Sequence, residues 1–452
     1  SYIKLIFYFK SDFFYDTFVV TKHYIGGEMI ELADKKSMNI KFENFIDTLD
    51  GEDLLDKTNR LDEVLQSDIL TGNEALGMVT MNKVQPDSKI REKDGSVHDV
   101  IMLGSNSYLN LSTHPQVMQG AREALEKFGY GMGAVSNYAG ITDIHKELES
   151  RIANFHRVED CIVFPGGYGA NVGIISALCG KNDVIINDAA NHASIFDGCA
   201  LSGAEIKVFP HRDMKGLERI LSRLPEEKTG RLIITDGVFS MDGDIAPLDI
   251  ITELAEKYKC RIMVDDAHGL GVVGSTGRGA AEHYGVMDKI DLNVSMLSKG
   301  PGGLGGYCAS SRKIVQYLRL YARSYFFSTA LPASVAGGLN EVFKLLETDN
   351  AGRKELMEKT EYLKKKLVQE GFDIAHTQSA VVPVMIYNEP VLFEMYEKLR
   401  QRGVYVNIVT YPAVRRKECR LRLCTMKDLT FEQIDKAVDI IAELGREYGI
   451  IK

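Results

Sequence analysis

Four apolar runs in this chain each end in a cluster of groups that can do chemistry. DAANHAS follows DVIIN and presents Asp188, Asn191, His192 and Ser194; DGVFSMDGD follows RLIIT and presents Asp236, Ser240 and Asp242. DDAHG follows RIMV with Asp265, Asp266 and His268, and SKGPGGLGG follows DLNVSML with Ser298 and Lys299. Each cluster alone has an ordinary reading: Asp and Asn cap helices, a histidine satisfies a local hydrogen bond, a lysine is a solvated charge. At equivalent ends of successive parallel strands, all four would converge on one cleft. A lysine at a buried strand end can lose its charge by desolvation and become a nucleophile toward an aldehyde. A carboxylate such as Asp265 can keep an aromatic ring nitrogen protonated, and a flat imidazole such as His192 can stack on that ring. PGGYGAN, at a helix start, offers a phosphate backbone N–H groups and a partial positive charge.

Aldehyde, pyridinium, ring face and phosphate together describe pyridoxal phosphate (PLP). A competing motif is GLGVVG (Gly269 to Gly274), which fits the dinucleotide pattern GxGxxG. Asp265, Asp266 and His268 separate it from its strand, and STGRGAAEH after it makes a poor amphipathic helix. It reads instead as a tight loop under the cofactor.

The elements that must position these groups alternate along the chain. Cys161–Phe164 reads as a strand, followed by Gly-rich PGGYG and the helical ANVGIISAL. Asp183–Ile186 and Ile206–Phe209 read as further strands, the latter followed by the amphipathic MKGLERILSRL. Between the strands RLIIT and CRIMV, Leu248, Ile251, Leu254, Ala255 and Tyr258 recur at helical spacing, with Pro247 suited to a first turn. Such strand–helix–strand repeats predict a mostly parallel sheet flanked by helices. After about residue 345 come a helix (350–370), a strand (VVPVMIY), a helix (EPVLFEMYEKLRQRG), strands (VYVNIV, CRLRLC) and a last helix (430–447), which reads as a smaller α+β domain. The expected division is an N-terminal leader and arm over 1–95, a large domain over 96–345 and a small C-terminal domain over 346–452.

Composition bounds the function. At 452 residues, 45% hydrophobic and 26% charged, the chain can bury a large core and is not disordered. Its net charge of −9 argues against nucleic acid as a partner, because phosphate backbones need a concentrated basic surface. Seven scattered cysteines form no zinc or CxxC spacing and fit a reducing cytoplasm better than a disulfide framework. The first 28 residues are rich in aromatics, but Lys4, Lys10, Asp12 and Asp16 break every apolar run below membrane-span length, so membrane association is not indicated. They read as a leader from upstream translation or, alternatively, a membrane-surface or dimer-contact arm. Residues 39–85, acidic and weakly periodic, read as a helical or partly ordered arm.

Over residues 98–447 the sequence resembles the α-oxoamine synthases of the fold-type I PLP enzymes. The carriers are SNSYLNLSTHP (105–115), GYGMGAVSNYAGITDIHKELE (129–149), NHASIFDG (191–198), GVFSMDGDIAPL (237–248), VDDAHGLGVVGSTGRG (264–279), SKG (298–300), FFSTALP (326–332) and RLRL (420–423). The resemblance implies that Lys299 binds the cofactor's aldehyde carbon and later moves the Cα proton. It implies Asp265 at the pyridine nitrogen, His268 near the phenolic oxygen, His192 stacked on the ring and Ser240 beside it. Gly167 and Tyr168 match the phosphate-cradling turn, with Ser298 next to the lysine. Asn106 lies in a segment facing the substrate, and Arg422 resembles the residue that clamps the substrate carboxylate. Ser328 and Thr329 resemble residues that reach the phosphate of a neighbouring subunit, which implies a homodimer with shared active sites.

Two positions depart from the family pattern. The family usually has Thr three residues before the lysine, bonding the phosphate; Met296 stands there, with the hydroxyls of Ser298 and Ser295 nearby to substitute. The segment GMGAVSN, where many members carry GSGGSR or similar, points to unusual acyl or amino-acid choice. The implied reaction condenses serine, glycine or alanine with acyl-CoA or an acyl-carrier protein, loses CO2 and yields a 2-amino ketone. GVYVNIV and GSNSYLNL resemble bacterial serine palmitoyltransferases most; 8-amino-7-oxononanoate synthase and glycine C-acetyltransferase are the alternatives. A catalytically inactive partner subunit is the alternative of another class, but such subunits typically lose the lysine, and Lys299 is present.

Overall fold

A computed structural model describes residues 21–25, 28–32, 48–66, 77–348 and 350–452. Most of the aromatic-rich leader and parts of the 39–85 arm lie outside the described residues. Within them, Thr21–Ile25 pairs antiparallel with Glu28–Leu32, and Asp56–Gln66 is a helix.

A seven-stranded sheet carries the site. Its order is Asp160–Phe164, Gly306–Ser310, Leu292–Met296, Arg261–Asp265, Arg231–Asp236, Val184–Asp188 and Glu205–Phe209. Only Gly306–Ser310 runs against its neighbours; the other neighbouring pairs are parallel. The near-continuous apolar runs follow from burial on both faces. Val184, Ile186, Ile233, Ile262 and Val264 enter one core, while Ile185, Leu232, Ile234 and Met263 enter the other. That period-two alternation fixes which side each strand-end residue faces. The first core packs with helices Asp143–His156 and Ala333–Thr348, the second with Gly167–Leu178 and Ala193–Ser202.

A third core joins helices Ala351–Glu370, Glu389–Gln401 and Phe431–Glu447 to the antiparallel strands Val381–Met385, Arg420–Cys424 and Asn407–Val409. It also takes Ile90 and Val100–Leu103 from the other end of the chain. Strand Val97–Met102 pairs with Val404–Tyr405 on one side and Asp87–Arg91 on the other. The smaller unit is thus built from both ends of the chain, whereas boundaries at 95/96 and 345/346 give it C-terminal residues alone. A strand pairing across some three hundred residues leaves no local signal. VYVNIV, expected as one strand, divides at the buried Val406: Val404–Tyr405 joins one sheet and Asn407–Val409 the other.

Candidate active site

The carboxyl ends of five sheet strands open onto a cavity of about 150 Å³. Its lining includes Gly167, Tyr168, His192, Asp236, Ser240, Asp265, His268, Met296, Ser298 and Lys299. The four polar clusters therefore do converge, and two members of each stand in the cavity wall: His192 and Ser194, Asp236 and Ser240, Asp265 and His268, Ser298 and Lys299.

Asp265 closes strand Arg261–Asp265 and is buried. Its Oδ2 accepts from Asn171 Nδ2 at 2.7 Å, while its Oδ1, also buried, has no partner among the described residues. An orphaned carboxylate oxygen in a cavity wall is the acceptor that a protonated ring nitrogen requires. Asp236 stands beside it in register on the next strand. Burial raises both acids, and Asp236, with Asp265's charge next to it, rises well above the carboxylate range. Burial and mutual repulsion together disfavour both acids carrying charge at once.

His192 caps helix Ala193–Ser202, accepting from the Ser194 N–H, and its Nδ1 lies 2.8 Å from Ser194 Oγ. Asn171 also donates to Ser194 Oγ, at 2.9 Å, so one amide fixes both the stacking imidazole's support and Asp265. Burial lowers the His192 pKa, favouring the neutral ring. Burial also lowers Lys299 below its ordinary value, against the opposing pull of Asp265 and Asp236. A lysine so placed keeps a larger share of free amine. His268 is held well below its usual range by burial, with Lys299 and Arg422 adding to the effect. Its Nδ1 lies 2.6 Å from the hydroxyl of Tyr108.

Helix Gly167–Leu178 starts at the cavity, and first-turn N–H groups have no intrahelical acceptor. A Cβ on Gly167 would run into the Met296 thioether, so the glycine and the methionine side chain share one space. Met296 thus fills the wall where a hydroxyl was expected. Ser295 does not replace that hydroxyl: its Oγ donates to the Asp266 carbonyl at 3.0 Å and is turned out of the cavity. Ser298 is in the wall.

Arg422 and Asn106 lie just outside the lining. Both terminal nitrogens of Arg422 donate to Asn106 Oδ1 at 3.1 Å, and its Nε donates to the Ser240 carbonyl. Ser328 and Thr329 are brought to the surface beside exposed Phe327 rather than to this cavity. Other strand-end residues serve as supports. Asn191 Oδ1 accepts the Asp236 N–H, Asp242 pairs with Arg420, and Asp188 binds His211. Asp266 lies beneath the site, where a Cβ on Gly269 or Gly279 would strike its carboxylate; burial raises it to about 7. Gly269–Gly274 is a loop leading only to the four-residue helix Ala280–His283. Tyr108, inside SNSYLNL, and Asn171, inside the helical ANVGIISAL, join the site without any local signal in the sequence.

The residues present therefore fit PLP: an acceptor for the ring nitrogen, an imidazole for the ring face, an amine for the aldehyde and a helix start for the phosphate. The sequence profile of the aminotransferase class I and II family matches residues 98–441. An 8-amino-7-oxononanoate synthase from Alkaliphilus metalliredigens (strain QYMF) is 43% identical over 78% of this chain and 89% of that protein. A serine palmitoyltransferase from S. paucimobilis, solved with bound PLP and myriocin, superposes with a TM-score of 0.84 and 33% identity, covering 88% of this chain and all of that one. An 8-amino-7-oxononanoate synthase from Francisella tularensis superposes at 0.68 with 28% identity, covering 78% and 99%.

Proposed function

This chain belongs to the aminotransferase class I and II family as one of its α-oxoamine synthases, a PLP-dependent acyltransferase, and we propose that it joins alanine to a dicarboxylic acyl thioester. The observation that supports the class at residue level is the orphaned, buried oxygen of Asp265 facing Lys299 across one cavity. The substrate pair is supported by the 43% identity to an 8-amino-7-oxononanoate synthase. In that product the amine-bearing carbon and its methyl match alanine after loss of its carboxyl, and the rest matches a seven-carbon dicarboxylic acyl group. The 0.84 TM-score to serine palmitoyltransferase supports a second reading, serine with a long-chain acyl thioester.

When bound, PLP supplies an electron sink that stabilises negative charge at the amino acid's Cα. Asp265 Oδ1 accepts the ring N–H and keeps that nitrogen protonated, while His192 covers the ring face. The first turn of helix Gly167–Leu178 and Ser298 hold the phosphate. Lys299 Nζ holds the cofactor at rest and then carries the proton leaving Cα. Arg422, giving up Asn106, takes the substrate carboxylate. The new C–C bond forms at the thioester carbonyl; the thiol leaves, the carboxylate departs as CO2, and a proton returns to the 2-amino ketone.

The donor is an acyl-CoA or acyl-carrier protein, and the working unit is a homodimer. Tyr130, Tyr138 and Phe327, 92%, 79% and 68% exposed, are aromatic surface that a second copy would cover. Thr329 is bridged to Val135 on the same face, which supports a role for Ser328 and Thr329 at a neighbour's phosphate. All seven cysteines are free, which supports a reducing cytoplasm, and among the described residues no helix is long and apolar enough to cross a membrane.

Titrating the PLP-loaded protein with glycine, alanine and serine while following cofactor absorbance tests the reading, with Lys299→Ala as control. Alanine is expected to saturate the change, and adding a dicarboxylic acyl thioester to release thiol and CO2 in equal amounts. Saturation by serine with turnover of long-chain thioesters would select the second reading. No cofactor absorbance in the wild type would overturn both.

A further inference from the structure

His211 lies outside the cavity lining, yet both its ring nitrogens are engaged. Nδ1 is 3.0 Å from Asp188 Oδ1 and Nε2 is 3.0 Å from Asp244 Oδ2. Carboxylates accept, so both nitrogens donate and the ring is an imidazolium. Its two partners sit on the segments that carry site residues. Asp188 ends strand Val184–Asp188 and accepts the Ala190 N–H at 2.8 Å, shaping the turn that leads into His192. Asp244 closes the loop around Ser240: its carbonyl accepts the Phe239 N–H at 3.0 Å, next to the Val238–Ile245 bridge. The Phe239 ring meets His211 edge-on at 4.3 Å.

The far side of that loop is tied to the substrate-binding strand. Asp242 pairs with Arg420, and the Ser240 carbonyl accepts from Arg422 Nε. We propose that His211 is a positioning residue for the substrate carboxylate: its imidazolium clips the loop carrying Ser240 to the strand end below His192, and the Ser240 carbonyl then fixes Arg422. The charge is needed because the clip joins two buried acids. Arg212 reaches both, with Nη1 2.8 Å from Asp244 Oδ2 and its backbone N–H on Asp188 Oδ2, but its one cation cannot neutralise two carboxylates. Tyr284 and Asp249, near Asp244 and Arg212, and Asp236, near Asp188, are further titratable groups at this edge. Without the imidazolium, Asp188 and Asp244 repel and the loop lifts. His192 stays in place because Ser194, itself held by Asn171, bonds its ring independently of the clip.

The inference rests on the substrate-carboxylate role proposed for Arg422. Its test compares wild type, His211→Gln and His211→Lys, each PLP-loaded, for PLP affinity by fluorescence and amino-acid affinity by absorbance titration. The neutral glutamine is expected to weaken amino-acid binding about tenfold or more while PLP affinity changes less than about threefold, and the cationic lysine to recover most of the loss. Equal behaviour of the two variants would show that the charge is irrelevant, and parallel loss of PLP would show general loosening; either overturns the proposal. If neither variant folds, Asp244→Asn, which removes one arm of the clip, must show the same split. A wild type that binds PLP but no amino acid would fail the functional reading instead.

Discussion

Tyr108 shows how much of the site depends on hydrogen placement. Burial raises its phenol well above the usual range, so it stays protonated with its oxygen 2.6 Å from His268 Nδ1. A phenol donating to His268 Nδ1 would leave the neutral ring with an Nε2–H to offer the cavity. Tyr108→Phe keeps the shape and removes that bond, so the protein is expected to fold and bind PLP while kcat/KM falls about tenfold, near 1.4 kcal/mol. Steady-state kinetics beside a PLP titration checks this; unchanged kcat/KM would remove Tyr108 from the site. At this scale the sequence was legible where chemistry follows a strand directly, as with His192, Asp265 and Lys299. It was opaque where partners meet through space: Tyr108 is 160 positions from His268, and Asn171 is 94 from Asp265. Spacing carries no trace of such pairs. Met296 is the reverse case, visible in the sequence as a departure but explained only by its contact with Gly167.

At the scale of elements, apolar runs and helical periodicity predicted six of the seven sheet strands and the last helices to within a residue or two, but not the antiparallel Gly306–Ser310. Burial on both faces makes such runs unmistakable. The switch of VYVNIV between sheets was not visible, because a residue changing sheet stays apolar and extended. The clip between strand ends was equally hidden, although its charge has a thermodynamic signature. Burial lowers His211, but its hydrogen bonds to the accepting carboxylates of Asp188 and Asp244 outweigh that and raise it from 6.5 to about 10 in the folded protein. A group raised on folding contributes stability that is complete below about pH 6.5 and is lost as pH climbs toward about 10. Thermal unfolding of wild type should therefore show Tm falling through that window, and His211→Gln should fall less steeply. Identical slopes would mean the ring is not protonated in the folded state.

At the scale of the molecule, the question is whether one chain holds a complete site. Lys299 and Asp265 share a cavity, whereas Ser328 and Thr329 lie on an outer face with Phe327 and Tyr138. In a two-fold dimer built on that face, its residues meet the partner chain, so hydroxyls there can serve the other subunit's phosphate. Lys299→Ala should abolish turnover, and the double variant Ser328→Ala with Thr329→Val should lose PLP at working concentrations. Mixing the two after dissociation separates the possibilities. If the hydroxyls act across the dimer, each hybrid has one site with both defects and one with none. Random reassociation makes half the dimers hybrids, so activity should return to about a quarter of wild type. If the hydroxyls act within their own chain, every hybrid site keeps one defect and mixing restores nothing.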